Sequence, residues 1–198
     1  MQKRLILGSS SVYRKSLLAR LNLPFDCLSP NIDESAHENE DPIALIERLA
    51  RLKAEAIVEQ IAPSQAIIIS SDQVACLNGK VLGKPHTVEN AIKQLSLFSG
   101  QKVDFYTSLY VLDSKDKKAR LSSHSYSVYF RELSQAEIAG YIEIEQPLDC
   151  AGSFKCEGLG VALFEKMEGD DPNALIGLPL IKLCESLRAF DINPLLSR

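Results

Sequence analysis

The run Ala66-Ile67-Ile68-Ile69 constrains this chain more than any other segment. Consecutive apolar residues rich in β-branching suit a strand with both faces buried, and such a strand needs helices on either side. Helical patterns alternate with short apolar runs along the sequence, so the expected class is α/β, a mixed sheet with helices on its faces. Ser70-Ser71-Asp72-Gln73 follows directly, which places Asp72 at the tip of the buried strand.

Leu5-Ile6-Leu7 reads as a first strand, running into the polar turn Gly8-Ser9-Ser10-Ser11 and a helix carrying Leu17, Leu18 and Leu21. Phe25 to Leu28 reads as a second strand, and the acidic stretch from Asn31 to Asp41 as a loop. Asp41-Pro42 opens a long helix, with the Asp as N-cap and the Pro at the first helical position. Its apolar face carries Ile46, Leu49, Ala50 and Ile57, with Lys53 among them. Helix statistics alone favour a snorkelling Lys53, its stem packed and its ammonium in water.

Asn78-Gly79 signals a hairpin over 74–84 that would bring Lys84 toward Asp72. Beyond it the spacing predicts a helix from Thr87 to about Phe98, closed by Gly100, then strands over 105–112 and 125–130. Ser134-Gln135-Ala136-Glu137 is a capping box opening a helix to about Glu145. Cys150 to Gly160 reads as a glycine-rich loop, Val161 to Phe164 as a short strand, and Ala174 to Phe190 as one helix with Pro179 near its start.

Composition sets the outer limits. With 198 residues, 45% hydrophobic and 24% charged, the chain is an ordinary globular sequence, read as a single domain over 1–198 rather than a disordered or disulfide-stapled one. Its apolar runs fall short of the roughly 20 residues of a membrane helix, and the start at Met1-Gln2-Lys3-Arg4 leads into too short a run for a signal segment, so a cytoplasmic location is expected. Cysteines 27, 76, 150, 156 and 184 show no CxxC and read as free thiols; histidines 37, 86 and 124 read as surface residues. A net charge of −4 argues against nucleic-acid polymers as partners.

Local clusters matter more than that total. Ser9, Ser11 and Arg14 at a helix start suit a phosphate, although a serine-capped helix with a surface arginine explains them equally well. Arg14, Lys53 and Lys84, aimed at the same strand ends as Asp33-Glu34 and Asp72, have the makings of a metal–triphosphate site, because carboxylates hold the ion and cations neutralise phosphate oxygens. Singly, the acids read as a solvated loop and a turn cap.

The ordered set Ser9-x-Ser11-x-x-Arg14, Asp33-Glu34, Lys53-Ala54, Ser71-Asp72-Gln73, Gly83-Lys84-Pro85, Ala151-Gly152-Ser153 and Gly177-Leu178-Pro179 resembles the Maf family of nucleoside triphosphate pyrophosphatases over nearly the whole chain. The resemblance implies an elongated, curved mixed sheet flanked by helices, with two lobes around a central cleft, similar to inosine triphosphate pyrophosphatases, and a homodimer. It also implies hydrolysis between the α and β phosphates with a divalent cation (Mg, Mn or Co). Asp72 would be general base or metal ligand and Glu34 a metal ligand, while Arg14, Lys53, Lys84, Ser9 and Ser11 would hold phosphates. Tyr13, Gln73 and Glu157 look like the specificity residues of the subgroup acting on 7-methyl-GTP: an aromatic face, a mixed donor–acceptor edge, and a carboxylate for guanine and its positive charge. A dTTP/UTP pyrophosphatase and a nucleotide-binding regulator of cell division are the alternatives. Val12 stands where the family commonly has Pro.

Overall fold

A computed structural model describes residues 3–196. Its strands are β1 (Leu5–Gly8), β2 (Asp26–Leu28), β3 (Ile67–Leu77), β4 (Lys80–Leu82), β5 (Lys102–Asp113), β6 (Ala119–Phe130) and β7 (Phe164–Glu168). The helices are α1 (Val12–Ala19), α2 (Pro42–Ile61), α3 (Val88–Phe98), α4 (Gln135–Glu145), α5 (Pro172–Ile176) and α6 (Leu180–Ala189). The strands form one mixed sheet in the order β2-β1-β3-β5-β6-β7, with β4 paired to β3. β1 runs parallel to β2 and β3, whereas the β3–β4 and β6–β7 pairs are antiparallel. The fold class read from the sequence is the one observed.

The chain divides into two compact units. The first takes the chain up to Asp72, Thr107–His124 and the segment from Gly177 on; the second takes Gln73–Tyr106 and Ser125–Ile176. In the first, Ala50, Ala54 and Ile57 of α2 pack with Ile6, Ile68 and Tyr110 of the strands. Gly8 permits a close approach there, since a Cβ on it would lie 3.0 Å from Ile57 Cγ1. In the second, Phe98, Phe105, Phe130 and Phe154 belong to one apolar cluster with α3 and α4.

The caps lie where the spacing puts them. Asp41 accepts from the amides of Ile43 and Ala44 ahead of α2, Thr87 caps α3, and the Ser134–Glu137 capping box opens α4. Asn78-Gly79 turns the hairpin, with Leu77 paired to Lys80.

Four expectations need correction. β3 does not end at Asp72 but continues to Leu77, so Asp72 lies inside a strand. Its polar stretch stays buried because the hydroxyls find carbonyls: Ser70 donates to Ala50 and Ser71 to Ser108, both at 2.6 Å. Lys53 does not snorkel; its side chain is only 5% exposed and ion-paired. Residues 159–163 form a 3-10 turn, and the strand begins at Phe164 instead. The C-terminal helix is two helices, because Gly177 takes a φ of +119° and Pro179 precedes α6.

Candidate active site

Lys53 organises the first unit. Its Nζ lies 2.5 Å from Asp72 Oδ1 and 3.1 Å from Glu34 Oε1. The helical face that buries Ile46 and Ile57 carries Lys53 inward at the same register, and the ammonium is held there by two carboxylates. Charge inside a protein is tolerated when it is paired in this way.

Serines fix the partners. Ser108 Oγ accepts the Asp72 amide at 3.1 Å and donates to Ile46 O of α2 at 2.7 Å, while Ser70 ties β3 to Ala50 one turn before Lys53. Strands β3 and β5 are thus joined to α2 by hydroxyl-to-carbonyl bonds in the two turns that precede Lys53.

Arg14 completes the group. Ser11 caps α1 by accepting the Arg14 amide, and Ser9 Oγ accepts the Ser11 amide at 3.1 Å. The guanidinium donates from Nε to Gly177 O at 2.9 Å and from Nη1 to Ser9 Oγ at 3.5 Å. Burial lowers the Arg14 pKa from its ordinary value, while Asp72 and Glu34 pull it back up. In these contacts both serine oxygens act as acceptors.

Gly177 O also accepts from Ser71 Oγ at 2.8 Å. That carbonyl, Ser71 and Ser108 are parts of the site that sequence reasoning missed. The Gly177-Leu178-Pro179 motif was a signal, but only the turn geometry shows the carbonyl aimed at Arg14.

Of the remaining expected residues, Tyr13 belongs to the first unit and Gln73, Lys84 and Glu157 to the second. Tyr13 is half-buried in the first turn of α1. Lys84 belongs to the second unit and is exposed, two residues past β4. Glu157 is also exposed there, and the Cys156 thiol donates to its Oε2 at 3.6 Å. Burial, followed by the nearby Glu157 charge, pushes that thiol up to about 12, which keeps it protonated. Gln73 is anchored within its unit: its amide nitrogen donates to Ala174 O and Leu175 O at 2.8 and 2.9 Å. The donor half of its edge is spent on carbonyls at the end of α5, where helical partners run out.

Two carboxylates meeting at one ammonium suit a divalent cation of the magnesium kind, which takes one or two carboxylates and completes its shell with water and phosphate oxygens. Among the described residues no group of three His, Cys, Asp or Glu side chains gathers for a metal, so an all-protein cage of the zinc kind does not fit.

A mixed α/β chain places a buried lysine between two acids and an arginine at a serine-capped helix start, a set whose chemistry suits a charged ligand. The chain belongs to the Maf-like protein family, whose model matches residues 4–190. It is 52% identical over 195 residues to a 7-methyl-GTP pyrophosphatase of Pseudoalteromonas translucida, covering 98% of this chain and 96% of that one. It is also 52% identical over 193 residues to a protein of the same name from Colwellia psychrerythraea, with the same coverage, and 50% identical to one from Idiomarina loihiensis over 96% of each chain. Among the described residues no helix is long and apolar enough to cross a membrane.

Proposed function

We propose that this chain is a metal-dependent nucleoside triphosphate pyrophosphatase that hydrolyses 7-methyl-GTP to 7-methyl-GMP and pyrophosphate, removing a modified nucleotide. The observation that carries the reading is Lys53 held between Asp72 and Glu34 within a group that includes Arg14. The names of relatives about half identical over nearly the whole chain supply the substrate.

In this reading Arg14, Lys53 and Lys84 take phosphate oxygens and stabilise charge on the departing pyrophosphate, with Ser9 and Ser11 donating from their hydroxyls. Asp72, held at its carboxylate by Lys53 and at its amide by Ser108, orients the attacking water and accepts its proton. Glu34 and Asp72 would hold a Mg, Mn or Co ion, which when bound neutralises phosphate charge. Tyr13 stacks on the cationic base, Gln73 lies at the edge of the base, and Glu157 accepts from guanine and offsets the positive ring. A homodimer and a cytoplasmic location belong to the same reading; light scattering of the full chain tests the first.

The test is pyrophosphate release from a panel of canonical and modified nucleotides with each divalent ion. The highest kcat/KM is expected on 7-methyl-GTP. Faster turnover of dTTP or UTP would overturn the substrate assignment, and turnover in chelator equal to that with metal would overturn the cofactor.

A further inference from the structure

Glu34 is an odd residue to find on a buried lysine. Its side chain is 56% exposed and lies in a stretch without helix or strand, yet its carboxylate is 3.1 Å from an ammonium that is 5% exposed. Holding a loop in one conformation costs backbone entropy at every residue, so something must fix this one.

The fixing contacts converge on Arg48 of α2. Its Nε and Nη2 grip the two oxygens of Glu40 at 2.6 Å each, and Nη2 also donates to Ser35 O, next to Glu34, at 3.0 Å. Glu40 in turn accepts the His37 amide at 3.0 Å, and Asp33 accepts the Ser35 amide at 2.9 Å. Glu40 directly precedes the N-cap Asp41, so loop, cap and helix form one hydrogen-bonded piece, and Lys53 lies five residues beyond Arg48 on the same helix. A planar guanidinium gripping both carboxylate oxygens fixes direction as well as distance, which an ammonium cannot do.

We infer that Arg48 and Glu40 are positioning residues: a latch that holds the 33–40 loop so that Glu34 reaches Lys53. The latch rests on the proposed role of Glu34 in phosphate and cation binding.

A double-mutant cycle on the full chain tests it, with pyrophosphate release from 7-methyl-GTP, thermal melts and amide hydrogen exchange over 33–40. Arg48→Lys keeps the charge and loses the fork, and kcat/KM is expected to fall about tenfold. In a Glu34→Gln background the same change is expected to cost less than about twofold, because Glu34 no longer needs placing. Loop amides lose protection while those of α2 keep it. Fully additive losses, or an Arg48→Lys enzyme equal to the parent, overturn the latch and leave the proposed function standing. A Glu34→Gln enzyme equal to the parent removes Glu34 from the machinery and the latch with it. If the parent turns over no nucleotide, the proposed function falls, and loop protection in Arg48→Lys alone decides the latch. Should that variant fail to fold, Glu40→Gln at the loop end carries the same cycle.

Discussion

The two units spend their interiors differently. The first buries Lys53, Asp72, Ser70, Ser71 and Ser108, whose polar atoms bond to one another and to backbone carbonyls. The second is an aromatic cluster in which Phe130 meets Phe98, Phe154 and Phe164 at ring-centroid distances of 5.2, 5.7 and 5.2 Å. Apolar packing is forgiving of small shifts and contributes stability; a buried polar network contributes placement, and losing one partner strands the others. Function should therefore be brittle in the first unit and stability in the second.

Asp72→Asn is the strongest probe of that contrast. Turnover of 7-methyl-GTP is expected to fall about 10³-fold with a native circular dichroism spectrum. Calorimetric titration with Mn separates the two tasks of Asp72: retained cation binding assigns it as base, and lost binding as ligand. Phe130→Ala should act the other way, lowering unfolding free energy in urea by about 3–5 kcal/mol while the folded fraction keeps kcat within a few-fold. A kinetic collapse without destabilisation would break the contrast.

Smaller effects sharpen it. Glu157→Gln, on the exposed loop of the second unit, should reduce the preference for 7-methyl-GTP over UTP about tenfold and leave metal dependence intact; equal loss on every substrate would remove Glu157 from base recognition. Arg48, followed by the His37 amide, holds the Glu40 carboxyl down to about 2. A depressed acid contributes stability above its unfolded pKa and loses it as pH falls through the folded value, so the latch is intact at neutral pH and opens only toward pH 2. Carboxyl NMR should show that midpoint moving up in Arg48→Ala while staying below the free carboxyl range, because the His37 amide still donates to Glu40. Least of all, Thr87→Ala should cost about 1 kcal/mol through the lost cap on α3, with no change in kcat.

Much of this was legible in the sequence because local chemistry decides it. The Asp41-Pro42 start, the Ser134 capping box and the Asn78-Gly79 turn depend on residues within a few positions of one another. The strand after Ile69 was misread for the opposite reason. Serines look like a strand end until Ala50 O and Ser108 O, reached only across the fold, are seen to accept their hydroxyls. Lys53 is the same case, with a helical position that says inward and a side-chain chemistry that says outward, and only its partners settle the conflict.

By itself, then, the sequence determined the α/β class, the caps and turns, and the membership of Arg14, Glu34, Lys53 and Asp72 in one motif set. Tertiary structure alone decided that Asp72 lies inside a strand, that Gln73 spends its donors on α5, that Gly177 O aims Arg14, and that Arg48 holds the Glu34 loop. Backbone carbonyls and distant partners carry those decisions. A carbonyl is the same group at every residue, so only its position in space can make it a ligand for one side chain and not another.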